Sequence, residues 1–162
     1  MGDWLPGEKS GLDPFDRAIL ALLQKNNRMP QRDIAEAVNL SPAAVQRRIR
    51  RLEESGVIQA NIAVLDPAKV GQPITVLVEV EMESERTELY AAAKRAFRDA
   101  PEVQQCYYVT GEADFILVVA VRTMGEYEEL TRRLFFENRN VRRFRTFVAM
   151  QRVKIGLDVQ LS

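Results

Sequence analysis

Apolar positions keep one period up to about residue 56 and a different one from about residue 73. Phe15, Ile19, Leu22 and Leu23 recur at i, i+4, i+7 and i+8, the spacing of one helical face. Asp13, Pro14 and Asp16 supply a cap, a first-position proline and an acid at the positive helix end, and Asn26-Asn27 closes the segment. Ile34, Ala35 and Val38 mark a shorter helix over 31–38, followed by a turn at Asn39-Leu40, where Asn tolerates left-handed backbone. A third helix opens at Ser41-Pro42, turns Val45, Ile49 and Leu52 inward and stops at Ser55-Gly56. Residues 57–65 are β-rich and partly alternating up to Asp66-Pro67; they predict a strand linking two domains, then a short helical turn to Gly71.

Beyond Pro73, Ile74, Val76, Val78, Val80 and Met82 alternate with Thr75, Leu77, Glu79 and Glu81, a strand pattern. A helix follows over 86–98, with Leu89, Ala93, Ala96 and Phe97 inward, then strands over 103–110 and 115–122. A helix over 125–136, with Tyr127, Leu130 and Leu134 on one side, precedes a last strand over 141–150. Strand–helix–strand thus occurs twice, and the spacing of Phe97 to Val103 repeats in Phe135 to Val141. A doubled unit of this kind builds a four-stranded antiparallel sheet with both helices on one face. The fold class expected is α+β: an N-terminal helix–turn–helix (winged-helix-like) domain and a C-terminal ferredoxin-like βαββαβ domain. Leu77, Ile116, Val118 and Ala120 would leave the other sheet face apolar, so a second copy is expected to pack on it with two-fold symmetry. The layout is a tail over 1–11, a helix–turn–helix domain over 12–56, a linker strand and turn over 57–72, the ferredoxin-like domain over 73–153 and a C-terminal extension over 154–162. Trp4 in the tail reads as a loose apolar anchor.

Composition narrows the chemistry. The 162 residues carry 23 Lys+Arg, 23 Asp+Glu, one Cys and no His. Without His the commonest general base and the commonest zinc ligand are missing, and Cys106 alone cannot form an internal disulfide. No nucleophile elbow, P-loop or dinucleotide fingerprint occurs. Catalysis by Asp/Glu or Lys alone stays open, but no arrangement points to it, and the expectation is a protein that is not an enzyme and holds no metal. Tyr107 and Tyr108 beside Cys106 read as edge-strand packing. No apolar run suits a membrane span and no signal-peptide pattern opens the chain, so the expected location is the cytoplasm.

Against this neutrality, Arg47, Arg48, Arg50 and Arg51 crowd into five positions of the third helix. With Val45, Ile49 and Leu52 inward, Ala43, Gln46, Arg47, Arg50 and Arg51 fall on the opposite side and Arg48 on the flank. Ser41 begins the helix at an end that favours phosphate, and the small Ala43 and Ala44 let it approach a surface closely. These are features of a recognition helix in a DNA major groove. Gln46 and Arg47 are long enough to read base edges, while Arg48, Arg50 and Arg51 suit phosphates. Residues 1–60 hold 9 Lys+Arg and 8 Asp+Glu, so the cationic footprint is local, and linked copies would be needed to raise affinity.

With both halves in view, the chain resembles the Lrp/AsnC (feast/famine) family of transcription regulators. The resemblance rests on "LDPFDRAILALLQKNNRMPQRDIAEAVNLSPAAVQRRIRRLEESGVIQ" and, later, "VTGEADFILVV". It implies a sequence-specific DNA-binding regulator of double-stranded DNA. It also implies a homodimer that assembles to a tetramer or octamer, and a free amino acid as effector, with no cofactor, bound in the crevice between dimers. The segment matching the family's ligand loop contains Thr110, Gly111, Glu112 and Asp114; Gly111 would let backbone N–H groups approach a carboxylate, and Glu112 or Asp114 could pair with an α-ammonium. Met124 and Thr146 are further candidates for the same crevice. The same loop also reads as a plain hairpin turn with Asp as a cap. Asn39 stands where the family often has Gly, Ala43-Ala44 where it often has Ser, Thr or Pro, and Asn138-Arg139-Asn140 where it often has Pro-Gly. The last departure lies near the expected crevice and motivates an alternative, a ligand-independent architectural DNA-binding protein. A third reading is an enzyme-regulating module, because ferredoxin-like folds host many functions.

Overall fold

A computed structural model of the protein describes residues 11–161. The reading of Trp4 and most of the tail lies outside them. The chain divides into two compact units: one runs up to Ala63 and is joined by the segment from Ile155, and the other is Val64–Lys154.

The first unit holds α1 (Pro14–Lys25), α2 (Gln31–Val38) and α3 (Pro42–Glu54). Local chemistry sets each end. The Asp13 carboxylate accepts the Asp16 N–H at 2.8 Å and Asp16 returns the bond to Asp13 N–H, a reciprocal cap on α1. Asn39 closes α2 with φ 55°, the left-handed conformation its sequence position suggests. The Ser41 hydroxyl accepts the Ala44 N–H, and Pro42 takes the first turn of α3, where no donor is needed. Ile19, Ile34, Ala35, Val38 and Val45 form the core, with Leu22, Leu23, Leu40 and Ile49 packed against it. Phe15 does not join them; it stays 42% exposed, and Leu20 on the adjoining face is buried instead. The C-terminal segment belongs to this unit: the Gln24 amide donates to Val159 O and accepts from Val159 N.

The expected linker strand over 57–65 does not form. A strand needs a hydrogen-bonding partner, and Val57, Ile62, Val64 and Leu65 all remain exposed with no strand beside them. Asp66 then organises a tight turn, accepting from Ala68 N through its side chain and from Lys69 N through its carbonyl, before Gly71 at φ 84°.

The second unit is a four-stranded antiparallel sheet in the order β2-β3-β1-β4: β1 (Ile74–Met82), β2 (Val103–Tyr108), β3 (Phe115–Val121) and β4 (Val141–Val148). The helices α4 (Thr87–Asp99) and α5 (Met124–Thr131) cross between strands, as the doubled unit requires. Val76, Val78, Val80, Phe115, Leu117 and Val119 are fully buried beneath them. The repeat noticed in the sequence meets inside this core: the Phe97 and Phe135 rings lie 6.1 Å apart, edge to face. Two details differ from expectation. In α4 Tyr90, Ala93 and Phe97 point inward while Ala96 is exposed, because the Tyr90 hydroxyl has a polar partner to reach. The helix over 125–136 ends in a wider π turn, Arg132–Phe136, which lets the consecutive Leu134 and Phe135 both face the core.

On the opposite sheet face Leu77 pairs with Val118 and Phe147, and Ile116 and Tyr107 continue the apolar area. Leu77 is 39%, Phe147 49% and Tyr107 52% exposed. The rest of this face is ionic: Arg145 bonds Glu79 at 3.1 Å and Glu112 at 3.1 Å, and Arg143 pairs with Glu81. Among the described residues no helix is long and apolar enough to cross a membrane.

Candidate nucleic-acid interface and effector loop

Val45 and Leu52 anchor α3 in the core, which turns Ala43, Gln46, Arg47, Arg50 and Arg51 outward; Ala44 is half-buried. Gln46 and Arg47 make no side-chain bond within the described chain. Arg50 donates Nε to Glu54 Oε1 at 3.0 Å, an exposed i, i+4 pair that contributes little and opens readily. Ser41 already spends its hydroxyl oxygen on the helix start.

Arg48 is not where a phosphate contact would need it. Its Nη1 donates to Asp13 Oδ2 at 2.6 Å and to Asp16 Oδ1 at 2.8 Å, and its side chain is only 21% exposed. The guanidinium carbon also sits 5.4 Å from the centre of the Phe15 ring, which explains why Phe15 stays at the surface. The backbone N–H of Asp16, and after it the Arg48 guanidinium, hold the Asp13 carboxyl below its usual range. Arg51 donates Nη2 to Asp16 while more than half of its side chain stays in solvent. The four arginines therefore divide into Arg47, free; Arg50, loosely paired; Arg51, shared; and Arg48, committed to its own chain. Helical spacing put Arg48 on the flank, but only the packing of α1 on α3 brings Asp13 and Asp16 beneath it.

The loop expected to meet an effector is the hairpin between β2 and β3. Val109 N bonds Asp114 O at 2.9 Å, and Gly111 takes φ 136°, a conformation that favours glycine. Asp114 belongs to the fold. Its Oδ2 accepts Met82 N–H at 2.7 Å and its Oδ1 accepts the Tyr90 hydroxyl at 2.6 Å, so its carboxylate already has partners where an ammonium was expected. Burial first, and this bond second, push the Tyr90 phenol well above its usual range. Thr110 is exposed, and Glu112 reaches out to Arg145. Thr146 turns its hydroxyl toward the helices and shares a 2.6 Å bond with Tyr127.

Within one chain these candidates do not converge. The loop joins β3 at Phe115, opposite Val80, whereas Met124 follows the far end at Val121, opposite Ile74. Six residue steps of strand separate the two ends, about 20 Å. The turn 138–140, where the chain departs from the resembled pattern, is a structural clamp. Asn140 is buried, and its side chain accepts from Ser84 N and donates to Ser84 O, each at 3.1 Å. Asn138 holds Asn140 N through its side chain.

A groove that the sequence reading missed runs between α4 and the edge strand β2, about 350 Å³ in volume and lined by Lys94, Arg98, Gln105, Cys106 and Tyr108. Lys94 Nζ lies 4.3 Å from the Tyr108 ring centre, and burial pushes the Cys106 thiol up.

Comparison with known proteins agrees with this geometry in both units. Residues 12–59 match a family model described as winged helix-turn-helix DNA-binding, and residues 75–158 match one described as the Lrp/AsnC ligand binding domain. An uncharacterized HTH-type transcriptional regulator of Sinorhizobium fredii, y4tD, is 48% identical over 151 residues, 93% of this chain and 89% of that protein. The crystal structure of an AsnC family transcriptional regulator from Agrobacterium tumefaciens superposes with a TM-score of 0.85 at 31% identity, covering 92% of this chain and 97% of the other. A transcriptional regulator of Neisseria meningitidis, solved as a complex with L-Met, superposes with a TM-score of 0.84 at 25% identity, over 92% and 96% of the two chains.

Proposed function

The chain belongs to the Lrp/AsnC family of transcription regulators, and from that premise we propose that it is a dimeric, sequence-specific DNA-binding regulator whose state is set by a free amino acid. The observation that carries the DNA half is the outward face of α3. Gln46 and Arg47 project there unpaired, with Arg50 and the solvent half of Arg51 beside them. Long planar donors on a helix free on one side suit base edges of a major groove, and the neighbouring arginines suit phosphates. Residues 12–56 act as the DNA-binding head and 73–153 as the dimerisation and sensing domain.

Leu77, Val118, Ile116 and Phe147 support the dimer. An apolar sheet face beside a ladder of ion pairs is better covered by a second copy than left in water. The effector reading puts the amino acid at Thr110, Gly111 and Glu112, with Met124 and Thr146 reaching the same crevice from another copy, since one chain holds them apart. The L-Met in the Neisseria regulator supports an amino acid as the ligand class. The departure at 138–140, where Asn140 closes the turn on Ser84, is the feature that would favour the ligand-independent architectural alternative.

The deciding experiment is selection of bound fragments from genomic DNA, repeated with each of the twenty amino acids. The reading expects a small set of enriched sites and one amino acid that changes their occupancy. Uniform recovery of all fragments, with no amino acid having an effect, would refute it.

A further inference from the structure

Asp16 is fully buried, yet it is a charged residue on a three-helix head with a small core. Among the described residues, its side-chain bonds lead to the start of α1 and to α3. Oδ2 accepts the Asp13 N–H at 3.2 Å and also an Arg51 Nη2 donor, while Oδ1 accepts Arg48 Nη1 at 2.8 Å. The cap that begins α1 is thus the socket that receives two arginines of α3.

We infer that Asp16 is a positioning residue for DNA recognition: together with Asp13 it withholds Arg48 from the phosphates, and by holding both Arg48 and Arg51 it sets the roll of α3, so that Gln46 and Arg47 face the bases. The inference rests on the DNA-binding reading above. Apolar contacts through Val45, Ile49 and Leu52 hold α3 against the head but tolerate small rotations, because they are not directional. Two charge-assisted bonds from successive turns of α3 to one carboxylate are directional, and they brace the helix on the flank beside its outward face. Arg48 cannot leave for a phosphate without giving up two carboxylates and leaving buried Asp16 with Arg51 as its cationic partner, a cost that holds the clasp closed when DNA arrives. Phe15 under the guanidinium closes the remaining side. The clasp also lowers sequence-blind attraction, since a committed arginine displaces no counterion from DNA.

The test uses the full chain in anisotropy titrations on two duplexes, the strongest fragment from the selection and a scrambled sequence of the same composition, in KCl from about 50 to 200 mM. For Arg48→Gln the salt slope should equal that of the wild type, because a lost phosphate contact would flatten it by about 0.9. Its preference for the selected duplex should fall about tenfold. Arg48→Lys, which keeps the charge in the socket, should recover part of that preference at the same slope. Asp16→Asn leaves Asp13 as the carboxylate partner of Arg48, so it should lower the preference for the selected duplex as Arg48→Gln does, with a salt slope on the scrambled duplex no flatter than that of the wild type. If Asp16→Asn does not fold, the two Arg48 variants decide alone. An Arg48→Gln slope flatter by about 0.9 overturns the inference, and so does a preference left unchanged, or a Lys variant no better than Gln. A wild-type chain that binds neither duplex sinks the DNA-binding reading and this inference together; a discriminating wild type with an indifferent Arg48 sinks the inference alone.

Discussion

Tyr90 donates its phenolic O–H to Asp114 at 2.6 Å, tying α4 to the hairpin that leads into β3. Asp114 spends its other oxygen on Met82 N–H, so three elements meet at one carboxylate. Tyr90→Phe leaves that carboxylate one bond short and should destabilise the second unit by about 1–3 kcal/mol, measurable by urea unfolding. The variant also has a pH signature. Because the folded phenol titrates above its usual value, the native state favours the protonated form. Its stabilisation is complete below the unfolded value of about 10 and is lost as pH rises beyond it. Tyr127 is raised by burial in the same direction, so the alkaline loss should become shallower in Tyr90→Phe without vanishing.

Arg47 and Arg50 share a face but differ in freedom. Arg47→Ala should weaken the selected site by about 1–3 kcal/mol and relax discrimination at one base pair. Arg50→Ala should weaken all sequences alike and flatten the salt slope by about 0.9. Titrations on single-base variants of the selected site would separate the two; equal, sequence-independent losses would remove Arg47 from base reading.

The contrast shows which features a sequence can disclose. Asp13, Pro14, Ser41, Pro42 and Asn39 act on backbone a few residues away, so their roles were readable from spacing alone. Strand alternation likewise revealed both faces of β1 and β3, because side chains on a strand have no third direction. The commitment of Arg48 was hidden, since its partners lie 32 and 35 positions earlier. Asp114 was ambiguous for the same reason: its cap role requires Tyr90 and Met82, which only the sheet and α4 bring near. Residues 57–65 have strand composition, yet composition does not supply a partner.

Asp13 makes the head sensitive to acid. Its folded carboxyl titrates below the usual value, held there by the Asp16 N–H and by Arg48. That contribution is present above about pH 4 and is lost as pH falls through the lower, folded value. Asp13→Asn lacks it at every pH. The wild-type lead in thermal midpoint should therefore be largest near neutrality and shrink toward pH 3, in a series of melts on both proteins; a constant gap would show that Asp13 acts only as a neutral cap.

The open sheet face predicts an assembly phenotype. Leu77 sits opposite both Val118 and Phe147, at the centre of the apolar area, and is 39% exposed. Leu77→Arg would bring a charge into the proposed dimer contact while leaving the helix-side core untouched. Light scattering should then report the 18.5 kDa single chain where the wild type gives a multiple of it, with unchanged far-UV circular dichroism. Identical masses for both proteins would move the contact elsewhere.

Asn140 offers a test of whether the 138–140 turn serves structure or sensing. Its amide both donates to and accepts from the Ser84 backbone, which pins the start of β4 to the chain leaving β1. Asn140→Ala removes both bonds at a buried position and should cost about 1–3 kcal/mol in stability. Asn140→Asp keeps the acceptor for Ser84 N–H but turns a second oxygen toward Ser84 O, so it should be the more harmful of the two at neutral pH and recover toward the wild type as the new carboxyl protonates and donates to Ser84 O again. If the turn is purely a clamp, both variants should lose thermal stability yet keep the effector response at a temperature where they are folded. An altered amino-acid preference in calorimetry would instead make 138–140 part of the sensing crevice, and would return the departure from the family pattern to the centre of the question of which ligand is bound.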